Sequence, residues 1–273
     1  MFRRERGKEI PDRTKRRLWN LHLKEEESMK KQSKNVFKMV VLSMLVALGV
    51  VISPILRVEG MCPMAHFINI VCSVLLGPGY SLLCAFLIGI IRMSLMGIPP
   101  LALTGAVFGA LLSGIFYRIS KGRLLFAVLG EIIGTGMIGA VCSYPVMTFL
   151  WGRDGLSWLF YVPSFICGTL IGGSIAYFFL RRFADIGMLA KMQEMLGSPV
   201  YSDKSTILSG SISFAAFGAI LFVVFMLVPQ IFRFRTGIWK YLAYGSLGGF
   251  GAAAVIFFAV KTIAAKRSTV EKA

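Results

Sequence analysis

Between Val36 and Leu180 only Glu59, Glu131 and Asp154 are acidic, and they are spread through apolar runs broken by short basic turns. Backbone placed in hydrocarbon has no water to bond, so each crossing segment must satisfy its own N–H and C=O groups. A helix does so, and it needs about 20 predominantly apolar residues to cross. The runs have that length, and mean hydropathy is +0.73 with 56% hydrophobic residues. The sequence therefore predicts an all-α polytopic membrane protein.

The order of segments reads directly. Residues 1–35 are basic and polar, and are expected to be a cytosolic tail, part helical near RRLWNLHLKEEE. No cleavable leader is expected, because the first apolar run follows that tail and is long enough to stay as an anchor. Spans are predicted at Val36–Pro54, Met64–Leu76 (short for a crossing), Tyr80–Met96, Leu101–Tyr117, Leu124–Leu150 and Leu159–Leu180. Gly77, Pro78 and Gly79 give a tight turn between the second and third, and Pro99 and Pro100 suit a helix start. Residues 183–205 read as a polar cytosolic linker, 206–263 as a two-helix membrane extension, and 264–273 as a cytosolic tail.

Eight crossings place both termini on one side. Of 30 Lys and Arg, only Arg57, Arg92, Arg153, Arg233, Arg235 and Lys240 then fall elsewhere, and positive-inside sorting makes the shared side cytoplasmic. The three basic residues of the 230–240 loop fit this least well. The net charge of +17 is explained by the same sorting and by attraction to anionic headgroups, not by nucleic acid. Cys62, Cys72, Cys84, Cys142 and Cys167 lie in or beside apolar spans without a CxxC pair, so they are read as small buried hydrophobes.

Small residues recur every fourth position: Gly105, Gly109 and Ser113; Gly130 and Gly134; Gly168, Gly172 and Ala176; Gly245, Gly249 and Ala253. Such stripes let helix backbones approach closely. Ser43 and Ala47, and Gly49 and Ser53, repeat the pattern in the first span.

A few polar residues sit where water is scarce. His66 and Asn69 are three apart and share a helix face. Cys62 precedes them at the helix cap. As a metal site the set is poor, with one imidazole and one thiol, so none is assigned. The pair either bonds backbone carbonyls or recognises a small polar ligand. Arg92 and Glu131 lie at similar depth and are candidates for a buried ion pair, or for groups that meet a substrate. Arg92 can alternatively snorkel to the surface. Tyr144, before Pro145, is a further candidate. An ionisable group in a bilayer costs at least about 2.5–3.5 kcal/mol, so each asks for a function. There is no GxxxxGK[ST] phosphate cradle, no HExxH and no credible Ser–His–Asp set, so the chain is not read as an enzyme.

The runs LVALGVVISPIL, CPMAHFINIVCSVLLGPGYSLLCAFLIGIIRMSLMG, GEIIGTGMIGAVCSYPV and YVPSF together resemble the ThiW family over roughly residues 36–182. Those proteins are the substrate-binding S components of energy-coupling-factor (ECF) transporters, assigned to the thiazole precursor of thiamine. The resemblance implies a six-helix S-component bundle, here followed by two extra C-terminal helices. It implies a ligand pocket near the outer face, drawing on the motif positions Cys62, His66, Asn69, Arg92, Glu131 and Tyr144. It implies docking through Ser43 and Ala47 on a separate membrane T component that works with two cytosolic ATPases. ATP would be used by those partners, and this chain would carry no cofactor. The expected setting is the cell membrane, in contact with lipid, with hydroxyethyl-thiazole captured outside and passed inward. Two alternatives stay open: an S component for another small heterocycle or vitamin, and a non-transporting helical scaffold.

Overall fold

The computed structural model describes residues 12–55, 61–201 and 237–270, with positions 211, 218, 222 and 225 between the last two stretches. The predicted seventh span, Thr206–Val228, lies almost entirely outside the described residues. Every described element is a helix, and six helices are long and apolar enough to cross a membrane. The protein is a polytopic all-α membrane protein.

Helix α1 runs unbroken from Asp12 to Ile52. Its 41 residues span about 60 Å, roughly twice a bilayer's hydrocarbon thickness. The stretch expected as a part-helical tail is thus continuous with the first span from Asp12 onward. The local reason is plain: Asp12 to Val36 contains no Gly or Pro and is rich in the helix formers Lys, Glu, Leu and Arg.

Helix α2, Pro63–Leu76, is only 14 residues long. It is buried on nearly all sides and packs against α1 and most extensively against three further helices. These are α3 (Pro78–Met96), α4 (Leu101–Ile119) and α6 (Val162–Asp185). A helix that is apolar all round belongs in a core, and Ile68, Ile70, Cys72 and Val74 occupy it. The single residue Gly77 joins α2 to α3 with φ of 92°. That left-handed value suits glycine, and a Cβ there would also meet the Arg118 guanidinium carbon at 2.9 Å.

Helix α5, Leu124–Leu150, is not uniform. It is α-helical over Leu124–Glu131, widens to a π-helix over Ile132–Gly139, narrows over Ala140–Pro145 and widens again over Val146–Leu150. Long π segments are rare and concentrate at functional sites. The second widening follows Pro145, which has no N–H to give to the preceding turn.

The supposed linker after residue 182 is a correction. Helix α6 continues to Asp185, and after Gly187 a further helix, α7 (Met188–Met195), folds back onto the bundle. Buried Gln193 donates from Nε2 to the Val74 carbonyl and to the Tyr117 hydroxyl, both at 3.0 Å. One of the last carbonyls of α2, which has no intrahelical donor, is satisfied this way. Tyr201 then stacks edge-on against Tyr117 at 5.6 Å. The last described helix, α8, covers Gly237–Val270.

Candidate functional site

Three residues converge on one carboxylate oxygen. Glu131, the last residue of the first α-helical part of α5, is fully buried at 0% exposure. Its Oε1 accepts from His66 Nδ1 at 2.9 Å, from Asn69 Nδ2 at 3.0 Å and from Thr135 Oγ1 at 3.1 Å. The shared face of His66 and Asn69, one turn apart on α2, therefore points at α5. Asn69 also reaches the Ala106 carbonyl at 3.4 Å, and its own backbone carbonyl accepts from Ser81 Oγ at 3.0 Å. Bonds to charged acceptors are the stronger kind, and three of them compensate a charge that is otherwise costly to bury. Glu131 Oε2 has no hydrogen-bond partner.

Glycines make this convergence sterically possible. A Cβ at Gly109 of α4 would lie 2.8 Å from the Glu131 carboxyl carbon and would collide with Thr135 Oγ1. A Cβ at Gly172 of α6 would collide with the Pro63 carbonyl oxygen and sit 3.0 Å from His66 Cβ. The stripe on α4 meets the Gly130 and Gly134 stripe of α5, and the stripe on α6 meets the first turn of α2.

Beside this network lies a cavity of about 90 Å³. His66 and Thr135 line it from the network side, Cys62 and Met61 from the entry to α2, and Met147 and Phe165 give apolar wall. Arg92 and Arg153 also line it, and among the described residues no Asp or Glu does. Against a carboxylate oxygen His66 Nδ1 is the donor of the pair, and in a neutral ring Nε2 is then the acceptor.

The candidate residues divide. His66, Asn69 and Glu131 are brought together, with His66 on the cavity wall and the other two directly behind it. Cys62 caps α2 and lines the cavity, and its thiol donates to the Ser53 carbonyl at 2.9 Å, tying the start of α2 to the end of α1. Arg92 lines the cavity, but the expected Arg92–Glu131 ion pair is not formed; Glu131 instead receives His66, Asn69 and Thr135 on Oε1. Nor does Arg92 snorkel: it is 3% exposed, and its Nε has no hydrogen-bond partner. Tyr144 is not on the cavity wall; its ring packs on Trp158, 4.5 Å between centroids. Ser43 and Ala47 are exposed on α1, beside exposed Met39, Val40, Met44 and Leu48. Gly49 and Ser53 of the same helix are buried, with Gly49 against Ile68 and Ile88.

Thr135, Arg153, Met147 and Phe165 were not foreseen. Thr135 was within reach, since it follows Glu131 by four and so shares its face. The other three come from separate elements and have no local signal. Among the described residues no cluster of His, Cys, Asp or Glu is suited to a metal ion.

A family model described as thiamine-precursor transporter protein (ThiW) matches residues 39–186, more than half of the chain. No curated protein and no solved structure matches it.

Proposed function

The chain belongs to the ThiW family of thiamine-precursor transporter proteins, and from that premise we propose that it is the substrate-capturing S component of an ECF-type transporter for a thiazole precursor of thiamine. The observation that carries this reading is the cavity beside the buried network, in which His66 stands between a ligand space and a carboxylate that fixes its ring. A pocket with apolar walls and a few oriented polar groups is the usual design for a small ligand. Met61, Met147 and Phe165 supply thioether and aromatic wall for a heterocycle. His66 Nε2 is placed to accept from a ligand hydroxyl.

Size supports a single ring. A water needs roughly 10–15 Å³ of such space, so a cavity of about 90 Å³ suits a compact one-ring molecule and not the two-ring vitamin itself.

The basic bias of the sequence supports cytoplasmic termini, and capture is read as occurring from the outer face. Coupling to a T component and two ATPases that use ATP is supported by the exposed Ser43 and Ala47 face of α1, where small residues allow close helix approach. The site residues carried forward are Cys62, His66, Asn69, Arg92 and Glu131, joined by Thr135.

The test is titration of hydroxyethyl-thiazole into the purified full-length protein by calorimetry, with cellular uptake measured alongside. Saturable binding is expected. His66→Ala should weaken it by about 1–3 kcal/mol through loss of a buried hydrogen bond, while thermal unfolding shows the protein still folded. A helical scaffold would show the reverse: unfolding without any ligand dependence. Binding of other heterocycles but not thiazole would move the assignment to a different solute.

A further inference from the structure

One buried cation on the cavity wall lacks an acceptor. Arg92 is buried to 3% exposure, yet its Nε meets no acceptor, and among the described residues no hydrogen bond or ion pair of its side chain is formed. A guanidinium has five donors and stays charged throughout the accessible pH range. Burying such a group without a partner is costly, and the usual remedy of losing the proton is closed to it. Buried Glu131 spends Oε1 on His66, Asn69 and Thr135. Arg153 reaches the same cavity from the segment after α5. Among the described residues no Asp or Glu lines the wall.

The helices add to this potential. The first turns of α2 (Ala65, His66) and of α4 (Leu101, Ala102) both line the cavity, so two helix N-termini face it. The helix dipoles place partial positive charge at these ends, which favours anions.

We propose that the cavity is built for a ligand bearing an oxyanion, a carboxylate or a phosphoryl group, held by the unpartnered Arg92 fork with Arg153 beside it, while the ring lies against Met147 and Phe165. This rests on the thiazole-precursor reading and narrows it: the captured species is a charged thiazole derivative in preference to the neutral alcohol. Arg matches planar carboxylate and phosphate bidentately. The ligand thus supplies the acceptor that the fold withholds from Arg92. His66 then serves as a second, polar contact and not as the principal anchor.

Four probes decide it, each titrated at pH 7 into full-length protein in nanodiscs: hydroxyethyl-methylthiazole, its phosphate monoester, methylthiazole carboxylate, and benzoate. At least one of the two charged thiazoles is expected to bind tenfold or more tightly than the alcohol, and which one does so separates carboxylate from phosphoryl recognition. Arg92→Gln should reduce that affinity at least tenfold, and Arg92→Lys should restore only part of it, since the charge returns without the fork. Should Arg92→Gln fail to fold, Arg153→Gln is the second variant, and the wild-type preference is decisive by itself. Alcohol binding as tight as or tighter than both charged thiazoles overturns the proposal and leaves thiazole capture standing. Arg92-dependent binding of benzoate with no thiazole bound overturns thiazole capture and leaves the anion site standing. If none of the four binds, both fall.

Discussion

Two regions of this chain carry the same sequence device and use it differently. In the bundle of α2, α4, α5 and α6, small residues every fourth position meet a neighbouring backbone: Gly130 lies against Leu112, Gly134 against Phe108 and Gly172 against Pro63. In α8, Gly245 and Gly249 repeat the spacing, but a side chain added at either would meet nothing within 4 Å among the described residues. There the contact falls on another face, where Gly218 sits against Phe250. A small-residue stripe permits close approach without causing it. What brings the first set together is a polar centre, the Glu131 carboxylate, whose donors come from α2 and α5 while α4 closes over it.

The largest effect should come from removing that centre. Glu131→Ala leaves His66, Asn69 and Thr135 without their acceptor, and breaking a buried charged set by deleting one partner costs about 3–5 kcal/mol. Thermal unfolding in detergent measures it, and a loss below about 1 kcal/mol would show that the network does not hold the helices. Next in size is Gly172→Leu, which forces α6 off the first turn of α2. Overpacking of this kind costs about 1–3 kcal/mol, and the displaced His66 should weaken ligand binding in calorimetry. The smallest is the control in the other region. Gly249→Leu should change stability by no more than about 0.5 kcal/mol, as exposed substitutions do. A Gly249 effect as large as that of Gly172 would mean that the stripe on α8 has a partner, and the contrast between the two regions would be lost.

The two regions also differ in their relation to the family. The match to thiamine-precursor transporter proteins covers residues 39–186, which contain the carboxylate network, the cavity and most of α1's apolar part. The first turns of α1, the closing helix α7 and α8 lie outside it. Helix α7 nevertheless belongs physically to the bundle, because Gln193 bonds the last turn of α2. A function that depends on α2 keeping its position depends on α7 as well.

Much of the site was legible as a list of residues and little of it as an arrangement. Dehydrated polar groups are conspicuous in apolar runs, so His66, Asn69, Arg92 and Glu131 stood out on cost alone. Their partnership did not. Arg92 with Glu131 was the natural pairing by charge, yet the structure gives Glu131 to an imidazole, an amide and a hydroxyl, and leaves Arg92 facing the cavity. Tyr144 looked equivalent to them in sequence, but its ring is taken up by Trp158.

Patterns set by one segment's own chemistry were decided in the sequence: helices where apolar runs lack water, turns at Gly77 and at Pro99–Pro100, and flat faces wherever glycine recurs. Each depends only on neighbours within a few residues. Which faces touch, and hence which donor finds Glu131 across the 65 residues separating it from His66, was decided by the assembled bundle. Hydrogen bonds between helices depend on their relative rotation and depth, and those are fixed only when all the helices pack at once.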